Sequence, residues 1–172
     1  MALHTQVIST GMPNGFAGNY ARQPDAIIVT RPAGGEDPIP FGAPLVYDSD
    51  NQSVVQAGAT ATAALFVGVA AAEVKPALTY ADQEGGAYAP GDAVGVFQRG
   101  SINVLCAGGT PARGGAVYLR TGTSETYTSE AVGSFTATNE SSKTVQLTNC
   151  QWGGPADANG VAELVILTRN MA

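Results

Sequence analysis

Histidine is almost missing from this chain of 172 residues, since His4 is the only one. A Ser-His-Asp or Cys-His arrangement needs an imidazole held rigidly beside its nucleophile. His4 stands in an irregular N-terminal stretch that offers no such support, so it reads as a solvated surface residue. Cysteine is scarce too. Cys106 and Cys150, with one histidine, are too few for a zinc site of ordinary ligand spacing, and in a reducing cytosol they read as thiols rather than a disulfide. Lysine occurs only at Lys75 and Lys143, and the formal net charge is −6. No basic run exists that could neutralise several phosphates together, which excludes a nucleic-acid surface. Long apolar runs are also lacking. Ala63 to Ala72 is the most apolar stretch and is about half the roughly 20 residues of a membrane span. The opening MALHTQVIST has neither a basic leader nor an apolar core, so the expected site of synthesis is the cytoplasm. Aromatics make up 7% of residues and charged residues 13%. The core must therefore rest on Val, Ala, Leu and Ile, and the low charge speaks for a folded body.

Glycine is abundant, with 22 residues, and there are 10 prolines. Their positions divide the chain. From Met1 to about Asp25 there is no sustained period, and GMPNGFAGNYARQPD reads as an extended arm. From Ala26 to the C-terminus, short apolar runs alternate with turn residues, as in one β domain. Strands are expected from Ala26 (AIIVTR), Pro44 (PLVYD), Ser53 (SVVQ), Ala64 (ALFVGVAAA), Ala93 (AVGVFQ) and Ser101 (SINVL). More follow from Ala116 (AVYLR), Val132 (VGSFTAT), Thr144 (TVQLT) and Val161 (VAELVILTR). Val94/Val96, Ile102/Val104 and Val117/Leu119 alternate as half-buried strands do. The last run is apolar on both faces, which places it centrally. Asn159-Gly160 and Arg99-Gly100 read as tight hairpin turns. The Ala-rich stretch Gln56 to Glu73 could be helix, but its Gly, Thr and Val content favours strand. The fold class is all-β, a sandwich or jelly-roll-like barrel of short antiparallel strands. Three segments beginning at Gly42, Gly91 and Gly114 share a Gly, a small residue two places on, and then a strand. Their spacing is irregular, which indicates recurring turn chemistry and not a repeat architecture.

Candidate chemistry is sparse. Asp48 to Ser53 (DSDNQS) spaces oxygens as a calcium loop does, but Ser53 replaces the sixth-position Gly and Ala59 the bidentate Glu, so a polar turn is expected. Asp157 and Asn159 read the same way. Glu36/Asp37, Asp82/Glu84 and Glu125/Glu130 lie in turn-rich stretches where carboxylates are ordinarily solvated, and spacing alone identifies no hydrolytic pair. Trp152 reads as a core or interface residue before a sugar-stacking platform. No catalytic residue, metal ligand or cofactor site is expected.

Several segments together resemble the head cement, or decoration, proteins of tailed bacteriophages. They are GFAGNYARQPDAIIVTRPA, PFGAPLVYDSDN, the long passage from ALFVGVAAAE to GSINV, TPARGGAVYLR and DANGVAELVILTRN. Tyr88-Ala-Pro-Gly-Asp-Ala-Val is the most telling piece, and Gly122 to Ser142 fits least, as a tip or variable loop would. The resemblance implies a structural virion protein on the outer surface of the head, stapling major capsid proteins. The implied partners are the major capsid protein and copies of itself, as dimer or trimer. Nucleic acid, membrane and cofactors are not among them. Candidate capsid or subunit contacts are Phe16, Tyr20 and Arg22 in the arm, with Tyr80 and Tyr88 in a second loop. Removing Met1 to Arg22 is expected to leave the body folded. The competing reading is a receptor- or carbohydrate-binding β module of a tail spike or adhesin, and a hydrolytic barrel is disfavoured by the missing histidines.

Overall fold

The computed structural model describes residues 13–72 and 86–170. Every element among them is a strand. In chain order they are β1 Tyr20–Pro32, β2 Ile39–Pro40, β3 Pro44–Tyr47, β4 Val54–Gln56, β5 Phe66–Ala70 and β6 Ala87–Tyr88. Then follow β7 Ala93–Leu105, β8 Ala116–Arg120, β9 Phe135–Thr136, β10 Thr144–Trp152 and β11 Val161–Ile166. The Ala-rich segment expected as strand is one at β5. It is a single curled antiparallel sheet of nine strands forming a half-barrel, with β2 and β6 as a separate small ribbon.

The sheet is organised around β7. Its first half pairs β5 and its second half pairs β11, while β1 runs antiparallel along both halves. The expected hairpin at Arg99-Gly100 does not form. Gly100 lies inside β7 with φ +107, and a Cβ there would stand 2.5 Å from the Asp25 carbonyl oxygen. The glycine lets β7 turn a corner beneath β1, whose register slips between Arg22 and Ile27 to follow it. Two runs separated by a positive-φ glycine are thus one bent strand. β11 lies between β7 and β10, centrally, as its two apolar faces require.

Both ends of the sheet curl back on the chain. Ala33, just past β1, bridges Val54 of β4, and Cys106, just past β7, bridges Phe135 of β9. Two apolar clusters result. The larger holds Phe66, Phe97, Ile102, Leu119, Phe135, Trp152 and Leu164. The smaller holds Ile39, Leu45, Val54, Val67, Tyr88, Val94 and Val96. β5 serves both, with Phe66 and Val69 toward one and Val67 and Ala70 toward the other. Trp152 is 1% exposed, which places it in the core and removes it as a sugar platform.

The echo at three glycines is one turn used repeatedly. Gly42, Gly91 and Gly114 have φ of +77, +83 and +75, each two residues before a strand. In each, the following N–H closes the turn: Ala43 to the Pro40 oxygen, Asp92 to Ala89, and Gly115 to Ala112. Positive φ at the third residue with this bond is the type II pattern. A fourth copy, Phe16–Asn19 with Gly18 at φ +85, launches β1. Asn159-Gly160 lies in a turn as expected, but of another kind. Only Gly160 has positive φ, its N–H donates to the Asp157 oxygen, and the Asp157 N–H donates to the Val161 oxygen. This is a type I turn closed by a glycine bulge rather than a two-residue hairpin.

Candidate functional site

The stretch read as an arm becomes part of the sheet earlier than its composition suggests. β1 begins at Tyr20, not Ala26, and the described residues before it, from position 13, are tied to the body. The Asn14 N–H donates to Asp157 Oδ2 at 2.8 Å, and its side-chain amide donates to the Val161 oxygen at 2.8 Å. Asn103 returns a bond from its Nδ2 to the Asn14 oxygen. The Gly18 N–H donates to the Asn103 oxygen, and the Ala72 N–H to the Gly18 oxygen. Gly18 is fixed by space as well as φ, since a Cβ would meet Ala72 N at 2.8 Å and Phe41 Cβ at 3.0 Å.

That anchoring presents the candidate contact residues in different ways. Phe16, at the first position of the turn, is 54% exposed. Tyr20 lies against Phe97 of the core, ring centroids 5.5 Å apart. The Arg22 Nε is 2.6 Å from Glu163 Oε1, in a pair that is open on the arginine side. Asn19, Tyr20, Ala21, Arg22 and Ala72 line an open concavity of about 500 Å³. Tyr88 sits elsewhere and faces inward. It is 1% exposed, its hydroxyl donates to the Ala71 oxygen, and Phe41 packs edge-on against its ring. Its side chain supports the smaller core rather than a surface. Tyr80, Asp82, Glu84 and His4 lie outside the described residues.

A second cluster was not visible in the sequence. Arg120, at the end of β8, is completely buried. Its Nε donates to Glu130 Oε2 at 3.0 Å, its Nη2 meets the same carboxylate, and its Nη1 donates to Glu140 Oε2 at 2.6 Å. The guanidinium also lies 5.6 Å from the centroid of the Tyr127 ring. Glu130 accepts a further bond from Thr138, and Glu140 from Ser124. Gly108 leaves the space that the Glu130 carboxylate occupies, since a Cβ there would overlap it. Glu130 was expected to be solvated like its neighbours, but it is 5% exposed because Arg120 holds it inside. Glu36, Asp37 and Glu125 are exposed, as turn carboxylates are. The Thr/Ser/Glu-rich stretch that fits the family pattern least is thus clamped at its base by one arginine.

The acidic turn Asp48 to Ser53 uses its own oxygens. Asp50 Oδ1 accepts the N–H groups of Gln52 and Ser53, and Oδ2 accepts the Ser53 hydroxyl. Among the described residues no group of His, Cys, Asp and Glu could hold a metal ion, and no helix is long and apolar enough to cross a membrane. Cys106 and Cys150 are free thiols, and burial pushes Cys150 up to about 12.

Three carboxylates titrate below their ordinary range. Glu163 is held down by its bond from Arg22, Asp50 by the Gln52 and Ser53 N–H groups, and Glu140 by Arg120. A carboxyl depressed in the fold stabilises it above the unfolded-state value, and that stabilisation is lost as pH falls through the folded value. Melting temperature should therefore be level from neutral pH down to about 5 and decline below about 4. Thermal melts over that range check this. Flat melting to pH 2 would show that these bonds add nothing to stability.

Residues 4–167 match the structural cement protein family (E217 gp24/Pam3 gp6). None of the curated proteins matches the sequence. A solved chain from the capsid of Myoviridae phage XM1 has the same fold, with TM-score 0.70 and 17% identity. It covers 96% of this chain, which covers 98% of it in turn. With the family pattern extending over nearly the whole length, and a fold shared end to end with a chain of a phage capsid, this protein belongs to the structural cement proteins of bacteriophages.

Proposed function

We propose that this protein binds the outer face of a phage head and staples neighbouring major capsid proteins together, as an oligomer of its own copies. The family match across residues 4–167 carries this reading. The net charge of −6 suits the outer face better than the DNA-facing one. Attachment is assigned to the surface around Phe16, Tyr20 and Arg22. Phe16 offers apolar area on a turn already fixed by hydrogen bonds, so little ordering entropy is lost when it docks. Aromatic and arginine side chains beside a concavity are the usual anchors of such contacts.

The test uses heads lacking the protein, to which purified protein is added back. Wild type should bind in many copies, on the order of hundreds, as a symmetric lattice demands, and should raise the temperature at which heads rupture. Phe16→Asp should weaken binding by at least about tenfold while leaving the protein's own melting temperature unchanged. Absence of binding, or binding confined to a few copies at the tail, would overturn the cement reading. Full binding by Phe16→Asp would move the attachment surface elsewhere.

A further inference from the structure

Within the described residues, the edge of β1 is the long uncovered edge of this sheet. Among the described residues, β1 pairs β7 and no other strand, whereas β3, β5, β8, β10 and β11 each have two neighbours. The short terminal strands are partly closed by the bridges at Ala33 and Cys106. From Ala26 to Arg31 no backbone hydrogen bond to another described residue leaves the outer edge of β1. In an antiparallel strand, alternate residues turn their N–H and C=O groups away from the existing partner. Proteins usually blunt such an edge with charge, proline or a bulge. Here those devices stand at the ends of the segment. The larger register slip lies at Arg22 to Ile27 and Pro32 closes the strand. A further slip at Ile27/Ile28 puts its extra residue, Gln98, on β7, so that Ala26-Ile27-Ile28-Val29-Thr30 runs unbulged along its outer edge. Ile28 is 37% exposed.

The segment is complementary to itself. Set antiparallel to a second copy with Ile28 opposite Ile28, it places Ile27 opposite Val29, Ala26 opposite Thr30 and Asp25 opposite Arg31, twice by symmetry. Asp25 is exposed, with one bond from Arg99 at 3.2 Å. Among the described residues, the Arg31 guanidinium donates only to the adjacent Thr30 oxygen, at 3.3 Å, and has no carboxylate partner. Opposite charges facing across a strand pair stabilise it, as do facing β-branched residues.

We propose that two copies of this protein join through their β1 edges, antiparallel about a twofold axis between the two Ile28 residues, so that the sheet runs on across the dimer. This rests on the self-association in the proposed function and supplies its geometry. A seven-residue strand pair is small beside the roughly 1,200–2,000 Å² of a standard stable interface. Exchange in dilute solution is accordingly fast, and trapping is the appropriate readout.

Single cysteines are introduced in a Cys106→Ser background, and the folded proteins are oxidised and resolved without reductant. Ile28→Cys should cross-link with itself, because directly opposed Cβ atoms lie about 4.5–5.5 Å apart. Thr30→Cys alone should not, its symmetry mate being four residues along the strand. A mixture of Ala26→Cys and Thr30→Cys proteins should give the mixed dimer. Ile28→Asp, checked for folding by circular dichroism, should weaken dimerisation in sedimentation by at least about tenfold, since it places like charges opposite each other. Equal cross-linking at positions 28 and 30, or none at 28, overturns the proposal. Head binding is measured separately. Binding without the position-28 cross-link rejects this edge and leaves the cement reading standing, whereas the cross-link without head binding does the reverse.

Discussion

Replacing Arg120 with Met should lower the unfolding free energy by roughly 3–5 kcal/mol, the usual cost of removing one partner from a buried ion pair. The substitution preserves volume and leaves Glu130 inside the protein without its cation. Glu130 would keep only the bond from Thr138, at 3.2 Å. The segment 121–143 should loosen with it, because Glu140 and Tyr127 meet the same guanidinium. Chemical denaturation measures the first effect, and amide exchange at residues 121–143 the second. The double variant Arg120→Met/Glu130→Leu should recover much of the loss, since replacing both partners removes the unpaired charge. A single variant within about 1 kcal/mol of wild type would show that water reaches the pair and screens it.

Deleting Met1 to Arg22 should also destabilise strongly, by roughly 3–6 kcal/mol, with a lower melting temperature. Tyr20, partly buried over Phe97, contributes roughly 1–2 kcal/mol, and the bonds of Asn14, Gly18 and Asn19 about 0.5–1.5 kcal/mol each. Composition alone led to the opposite expectation, a body indifferent to the loss. Tyr20→Ala should reproduce a good part of the effect as a point change. If the deletion variant melts with wild type, the N-terminal contacts in the fold contribute nothing, and the segment behaves as the arm its sequence suggests. Because the deletion removes packing as well as Phe16, its loss of head binding cannot by itself locate the attachment surface. Phe16→Asp separates the two, since Phe16 is exposed and Tyr20 is not.

The N-terminal segment and Glu130 differ from their sequence readings for one reason. Both look polar and irregular along the chain, and both are satisfied by partners far away in it. Asn14 bonds to Val161 and Asp157, and Arg120 to Glu130 and Glu140 across a loop. Residue type foretells exposure only on average. A charged side chain is buried where a counter-charge is delivered to it, and delivery is a property of topology.

What the sequence determined by itself was local. The all-β class followed from β-branched runs cut by glycine and proline. The turns at Gly42, Gly91 and Gly114 followed from the need of a type II turn for positive φ. The central place of Val161 to Ile166 followed from its two apolar faces. These conclusions hold because each depends on a few adjacent residues and their intrinsic preferences. Tertiary structure alone decided that Gly100 bends one strand instead of ending two, since the turn preference of Arg-Gly lost to continuous pairing with β1. It also set the inward face of Tyr88, the buried Arg120 and the bare edge of β1. Each of these depends on which segments meet across the sheet, a matter of long-range pairing and enclosed volume that residue type and spacing do not encode.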